Sequence, residues 1–566
     1  MKIKPTTIML IIIIALGFFL RVHGINYYSY GDEAYHVYNA IAIASGQMPT
    51  NFHPIALSLF YAFFYVTGWI FGIFATPTAF VETYFAHQHI FYFVGRLFDS
   101  IMGTASILLL YLLGKDMFSR KTGLIAALFL AVFPVAVEIS QIARGQSLCL
   151  FLILTALYFS YCCLNKKKLI YFMVSGLAFG GAVSIRMPAG IIILPVLYFF
   201  YLSGILDRRP ESGSRPGVFF LRRLKKFFLN PGLWFFILGG VIVFAGAYPW
   251  AILHLPAYLG SITSGISGTG IYLGSEVENG WLYYLTRGFP YALSWPLYGL
   301  FIVGLFFSPV GVGRKKTVVL AVLCVVYILI MGSAKIAAPR YLFPIFPACA
   351  LLGAEFLGRE GDFFKLRGRV AVTFFLTAAI LFTFWPFSRV MVANREKLKP
   401  TTKNLAEDWI FRTLRPGTRI AVESMGYFGP DLKLTPVIDY WIYNLNKKDL
   451  EILLEERLAQ RQPSYALKYF IEHPPQKKFY TDTISMRDIV DISSLLEARY
   501  EYIVITDVTG KIYANPQLKQ RYPEYYNARH KFYRWLEEDG ELIKTFKPDD
   551  NTPGSEIRVY KIRGEE

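Results

Sequence analysis

Two adjacent carboxylates, Asp32 and Glu33, stand in YYSYGDEAYHVYNAIAIASGQMPTNFHP, residues 27–54, just past the first apolar run of the chain. Tyr30 precedes them, His36 follows one helical turn on, and His53 closes the stretch. Such a pair suits removal of a proton from a hydroxyl by a positioned carboxylate. It suits equally the capping of a helix, because a helix N-terminus favours negative charge and Ala34 to Ser45 reads as an interfacial helix. The cations elsewhere in the chain weigh between these readings.

Arg186 sits in SIRMPAG, and Lys335 and Arg340 sit in SAKIAAPRYLFPIFP, each where one apolar run meets the next. A basic residue at that depth is costly and needs a reason. Headgroup anchoring is one; a pocket for phosphate is another, since Arg and Lys clusters bind it well. A carboxylate facing a phosphate-bearing lipid is what glycosyl transfer requires. The acid takes the proton of an acceptor hydroxyl, the cations stabilise the departing phosphate, and no general acid is needed. Arg96 and Asp99, spaced i,i+3, are expected to pair with each other. Arg21 and Arg287 read as interface anchors.

The elements that must position these residues are membrane spans. The 566 residues are 54% hydrophobic and 17% aromatic, too apolar for an ordinary soluble enzyme. Apolar runs of spanning length lie near 8–24, 93–113, 122–140, 146–164, 168–184, 189–205, 233–253, 288–307, 317–333, 341–357 and 370–388, about eleven in all. Lys2 and Lys4 precede the first, but no small-x-small cleavage site follows, so it reads as an uncleaved span. The net charge of +18 arises in the first 388 residues, where 29 Lys and Arg face 13 Asp and Glu. With the N-terminus cytoplasmic and the apolar run Ile55–Ile73 lying in the interface, 22 of those 29 fall in cytoplasmic loops, as the positive-inside rule requires. Nucleic acid is not needed to explain the charge. The five cysteines lie inside the runs, with no metal or disulfide spacing.

Beyond Ser388 the composition turns soluble. RIAVESMGYFGP (419–430) and YEYIVITDV (500–508) read as strands, and 449–461 and 528–540 as helices with charged faces. The expected architecture is an α-helical polytopic membrane domain over 1–388, with a structured first outer loop at 21–92. A soluble extracytoplasmic α/β domain follows over 389–566. Trp441, Tyr443, Tyr525, Tyr526 and Trp535 of that domain suit either sugar stacking or its core. The Gly-rich stretch 264–281 suits a mobile lid.

The set GDEAYH (31–36), NFHP (51–54), GRLFDSIMGTASILLLYLLGKDMFSRKTGLIAALFLAVFP (95–134), SIRMPAG and PRYLFPIFPA resembles the GT-C membrane glycosyltransferases, the type shared by protein O-mannosyltransferases and the lipid A aminoarabinose transferase. The resemblance implies inverting transfer of a sugar from a polyprenyl-phosphate carrier to an acceptor outside the cytoplasmic membrane. It makes Asp32 the general base, Glu33 its partner toward acceptor or metal, and places His53 near the donor with Arg186, Lys335 and Arg340. Tyr30, His36, Arg144 and Gln146 become contacts of donor or acceptor. One departure matters: where relatives carry a second acid, QIARGQSLCLF offers Gln146. Glu138, eight residues earlier, is the nearest acid, about two turns deeper if the helix continues. Without a second acid a divalent cation has a poor cage, so a cation stays a possible cofactor only. A multi-span transporter or lipid flippase is the competing class, though no internal repeat supports it.

Overall fold

The computed structural model describes residues 4–25, 33–44, 56–70, 79–166, 168–205, 227–258, 260, 277–310, 315–363, 368–424, 447–459, 465–472, 479–485 and 488–562. The Gly-rich stretch up to residue 276, and Trp441 and Tyr443, lie outside them. Helix α1 (Pro5–Val22) starts on a proline, whose missing N–H costs nothing there. After it come α2 (Glu33–Ala44), α3 (Ala56–Ile70) and the long α4 (Ala79–Met117). The apolar run Ile55–Ile73 is thus helical, and α3 packs on α2 and α4.

Helix α5 (Arg120–Val132) stops before Pro134, and α6 (Pro134–Glu138) leaves at an angle of 65°. Proline donates no hydrogen bond, so the break is written into the chain. Helices α7 (Gln146–Lys166), α8 (Leu169–Ile185), α9 (Ile193–Ile205) and α10 (Pro231–Ala247) follow. Gly176 and Gly180 of α8 let the α10 backbone approach closely; a Cβ on Gly180 would stand 2.2 Å from the Gly240 carbonyl. A second bend, of 117°, separates 280–293 from α11 (Trp295–Phe307), where Ser294 takes φ 71°. Helices α12 (Lys315–Gly332), α13 (Phe346–Phe363) and α14 (Gly368–Lys397) complete the bundle.

All eleven apolar runs fall on helices. Among the described residues, five helices are long and apolar enough to cross a bilayer, or seven if each bent pair is one span. The chain is a multi-pass membrane protein by these helices. Helix α14 runs through Ser388 without a break.

A five-stranded sheet, ordered β2-β1-β3-β5-β4, follows α14. Its strands are β1 (Arg419–Glu423), β2 (Tyr480–Ile484), β3 (Tyr502–Thr506), β4 (Gly540–Phe546) and β5 (Ile557–Ile562). The first three run parallel and the last two pair antiparallel. Alternation sends Ile420 and Val422 to one face, against Ala406 and Ile410 of helix α15 (Thr402–Thr413). Ala421 and Ile503 face the other way, toward Phe532 and Leu536 of the helix Pro523–Asp539, together with Trp535. Both faces are covered, as parallel strands require. The helices Lys447–Ala459 and Tyr465–Glu472 leave this sheet and bury Leu450 and Leu467 in the apolar cluster of the bundle.

At the end of β1, Glu423 is fully buried. It accepts hydrogen bonds from Arg529 Nη1 (2.8 Å), Tyr533 Oη (2.7 Å) and the Thr506 amide (3.0 Å). Removing one partner of such a pair strands a buried charge, at about 3–5 kcal/mol. Glu423→Ala is therefore expected to speed hydrogen exchange of the β1 and β3 amides by about two to four orders of magnitude. Unchanged exchange would mean that the pair adds nothing to the sheet.

Candidate active site

Glu33 opens α2, where the helix dipole favours an acid. Its carboxylate is gripped side-on by Arg96 of α4, with Nε to Oε2 at 2.9 Å and Nη2 to Oε1 at 2.7 Å. The Ala143 amide donates to the same Oε2 at 2.8 Å, and Arg96 Nη1 reaches the Ile25 carbonyl at 2.9 Å. Both side chains are buried. One fork thus joins the end of α1, the start of α2, the body of α4 and the 142–145 turn. The expected Arg96–Asp99 pair does not form. Asp99 instead accepts from Tyr61 Oη at 2.6 Å and from the Gly145 amide at 3.3 Å. A buried guanidinium takes the partner that satisfies its planar fork, and Glu33 does so in two places at once. Glu33 thus takes one bond at Oε1 and two at Oε2, all from within the bundle.

Arg21 is not an interface anchor. It is fully buried and donates to the carbonyls of Gly17 (3.0 Å), Ala131 (3.1 Å) and Leu130 (3.0 Å). The Leu130 carbonyl is the one that Pro134 leaves without a helical partner. Arg21 thus caps the broken end of α5. Gly103 makes room for this clamp, since a Cβ there would meet Ser140 Oγ at 2.2 Å and Arg21 Nε at 3.0 Å.

The break carries the next acid. Glu138 ends α6, and a 3-10 turn, Ile139–Gln141, follows it. The helix does not continue to Gln146, which starts α7 and is buried, so the two residues are not stacked along one helix. Tyr291 Oη lies 3.4 Å from Glu138 Oε2, with the Arg389 guanidinium 5.3 Å from the Tyr291 ring centre. Gln141 donates to the carbonyls of Leu20 and His23 (each 3.0 Å) and to Asn394 Oδ1 (2.9 Å). Its own oxygen accepts from Lys397 Nζ at 2.5 Å.

The cations gather beside this break. A 3-10 segment over Met187–Ile192 follows Arg186, and another over Pro339–Ile345 holds Arg340. These two segments touch each other, and the second also touches α6 and α7. Arg186 lies within electrostatic reach of Arg144 and Arg340, and its Nη2 stands 3.5 Å from the Arg144 carbonyl. Its Nε is buried with no hydrogen-bond partner among the described residues. Arg340 leans on the Tyr341 ring at 5.4 Å. Lys335 is exposed, its carbonyl accepting from the Val277 amide at 2.9 Å. His36 is half-buried on α2. Tyr30, Asp32 and His53 lie outside the described residues. The sequence reading missed Arg96, Gln141, Tyr291, Arg389 and Lys397.

An apolar groove of about 330 Å³ is lined by Phe60, Leu152, Leu177, Ala178, Ser184 and Ile185 among others, the last two directly preceding Arg186 in the chain. Among the described residues no three His, Cys, Asp or Glu side chains come together as a metal cage.

Residues 88–212 match the family described as dolichyl-phosphate-mannose-protein mannosyltransferase. The putative mannosyltransferase YkcB of Bacillus subtilis (strain 168) is 28% identical over 204 residues, 36% of this chain and 27% of that one. Its fellow YycA from the same strain is 28% identical over 208 residues, 36% of this chain and 28% of that one. The match thus spans little more than a quarter of either relative's length. ArnT from Cupriavidus metallidurans, crystallised with undecaprenyl phosphate, aligns over 98% of this chain and 97% of its own, at 11% identity and a TM-score of 0.49. The chain is similar to the GT-C membrane glycosyltransferases, as its motifs implied.

Because the fork is buried, Glu33→Ala leaves the Arg96 guanidinium without its carboxylate, at about 3–5 kcal/mol. The double variant Glu33→Ala/Arg96→Leu removes both charges and is expected to recover much of that loss. Thermal unfolding of the protein in detergent reads both. Equal stability of the single variant and wild type would show that the fork does not hold the site together.

Proposed function

We propose that this chain is an inverting glycosyltransferase that moves one sugar from a polyprenyl-phosphate carrier to an acceptor hydroxyl on the extracytoplasmic side. The observation that carries this reading is the position of Arg186. Its buried Nε has no hydrogen-bond partner among the described residues, Arg144 and Arg340 lie within electrostatic reach of it, and Ser184 and Ile185, the two residues before it, line an apolar groove. Clustered cations following an apolar groove in the chain suit a phosphate carried on a long hydrocarbon. The match of residues 88–212 to a family that uses a lipid-phosphate sugar supports the same donor class.

In this reading Asp32 takes the proton from the acceptor hydroxyl, and the hydroxyl oxygen attacks the anomeric carbon. The bond from that carbon to the phosphate oxygen breaks, and the electron pair leaves with the phosphate. Arg186 and Arg340, with Lys335 at the exposed rim, stabilise the charge that develops there. Glu33, clamped by Arg96, fixes the backbone to which Asp32 is joined. Glu138 supplies the second acid that Gln146 lacks. Tyr30, His36, Arg144 and Gln146 contact donor or acceptor, and His53 stands near the donor. Among the described residues no group of three His, Cys, Asp or Glu side chains would hold a divalent cation. No step is routed through one.

The N-terminus is cytoplasmic in this arrangement, in the cell membrane, and residues 389–566 form an extracytoplasmic domain joined to the membrane domain 1–388.

The test is sugar release by the purified protein in lipid vesicles from a panel of radiolabelled polyprenyl-phosphate sugars, with nucleotide sugars as controls. Wild type is expected to release label from at least one lipid donor. Asp32→Asn should lower the rate by about 10²–10⁴-fold and Arg186→Ala by about 10²–10³-fold. Turnover of nucleotide sugars alone, or full activity of Asp32→Asn, would overturn the proposal in its donor or in its base.

A further inference from the structure

Helix α3 is apolar on both faces: Leu57, Tyr61 and Tyr65 are buried, whereas Phe60, Phe63 and Phe64 are exposed. Apolar contact is non-directional, so it does not by itself fix how such a helix is turned about its axis. Polar bonds to α4 do. Tyr65 Oη donates to the Phe91 carbonyl at 3.2 Å, and Tyr61 Oη donates to Asp99 Oδ2 at 2.6 Å. Gly95 of α4 admits the Tyr61 ring, since a Cβ there would stand 3.3 Å from it. Phe60, the next residue, stacks on Phe98 of α4 with ring centres 5.7 Å apart.

Asp99 Oδ2 has a second donor, the Gly145 amide at 3.3 Å, on the residue that directly precedes α7. A helix start favours an acid, and here another helix supplies it. Leu57 of α3 closes on the same point, for a Cβ on Gly145 would meet it at 2.8 Å. One carboxylate oxygen therefore joins α3 and α4 to the start of α7. The other, Oδ1, is buried with no hydrogen-bond partner among the described residues, and the nearby Arg96 serves Glu33. A carboxylate at such depth is costly, and one left half-satisfied is a poor means of adding stability. The elements that it joins line the apolar groove: Phe60 of α3, Leu152 and Thr155 of α7, with Ser184 and Ile185 of α8. Arg144 adjoins Gly145, and its carbonyl stands 3.5 Å from Arg186 Nη2.

Resting on the proposed glycosyl transfer, we infer that Tyr61 and Asp99 are positioning residues for the lipid donor: their bond fixes Phe60 as a wall of the groove that receives the donor's hydrocarbon, and ties that wall to the turn that carries Arg144. The occupant follows from the lining, which is apolar and includes the two residues that directly precede Arg186. Without the bond α3 is free to turn on its apolar faces, and Phe60 leaves its place against α7 and α8. Donor binding then weakens. The transfer step itself is carried by other residues and keeps its rate once the donor is bound.

The experiment compares full-length wild type, Tyr61→Phe, Asp99→Asn and Phe60→Ala in lipid vesicles, titrating the polyprenyl-phosphate sugar that wild type turns over as a mole fraction of the bilayer. Tyr61→Phe keeps the ring and loses the hydroxyl. It is expected to raise KM for the donor about tenfold, with kcat within about twofold of wild type. Loss of folded protein alone would do the reverse, lowering apparent kcat at unchanged KM. Asp99→Asn keeps an oxygen for both donors and should hold KM within about threefold of wild type. Phe60→Ala, a change on the exposed face, should raise KM as Tyr61→Phe does. A wild-type KM in Tyr61→Phe would overturn the inference. So would a wild-type KM in Phe60→Ala, which decides the matter if Tyr61→Phe does not fold. A tenfold loss of kcat in Asp99→Asn at unchanged KM would also overturn it, by placing the carboxylate in the chemistry. Each of these results comes with active wild type and leaves the transfer reaction standing. Wild type inactive on every lipid donor would remove that reaction and this role together.

Discussion

The Glu33–Arg96 fork is the constraint on which the site depends. Two ions taken out of water repay their desolvation only when geometry is good and the remaining donors and acceptors are satisfied. Here Arg96 spends Nε and Nη2 on Glu33 and Nη1 on the Ile25 carbonyl, while Glu33 also receives the Ala143 amide. That arrangement is possible only if α1, α2, α4 and the 142–145 turn meet at one point. A shift of any of them by an ångström or two would expose an unmet charge. The fork thus does more than add stability: it fixes how these helices and the turn meet.

Around that point the bundle gives up regular helix. Pro134 breaks α5, Pro188 and Pro339 open 3-10 segments, and Ser294 turns the chain through a left-handed φ. Each interruption frees backbone groups that a bundle interior cannot leave bare. Arg21 answers for Leu130 and Ala131, and Gln141 answers for Leu20 and His23. The buried polar side chains at this end of the bundle are therefore largely committed to the breaks. The breaks in turn bring Glu138, Arg186 and Arg340 onto neighbouring short segments in place of parallel helices that would hold them apart.

Much of this frame was legible in the residues. Apolar runs marked the helices of the bundle other than α2, which its capping acids marked, and β1 and β3 lie where alternating apolar residues end in turn signals. Strand β2 escaped notice because YTDTI has a polar face and is only half-buried, and β4 because GELIKTF is almost wholly exposed. The errors at the site share one cause, the preference for partners near in sequence. Arg96 and Asp99 looked satisfied by each other at helical spacing, which hid two buried groups with distant partners, one in the first loop and one on α3. Glu138 and Gln146 would lie about two turns apart only if one helix ran through both, and the 3-10 turn after Glu138 ends that helix. Lys397 was counted with the soluble segment because composition changes at Ser388, whereas helical hydrogen bonding continues to residue 397. Composition reports where the lipid ends, not where the helix does.

The cations of this end of the bundle divide into two kinds, and the division bears on what the site receives. Arg21 and Arg96 are enclosed, each making three bonds within the bundle, to carbonyls in one case and to a carboxylate and a carbonyl in the other. Arg186 and Arg340 are partly open, and among the described residues neither meets a carboxylate. The acids that could have neutralised them are already engaged, Glu33 with Arg96 and Glu138 on the Tyr291 side. Guanidinium groups set within reach of one another repel, and a protein that only needed anchors would spread them along the interface. Held at or beside two touching 3-10 segments, they form a positive recess whose electrostatic cost an anion would relieve. In the proposed transfer the donor phosphodiester would bring one negative charge, and a second would develop as the bond to the sugar breaks.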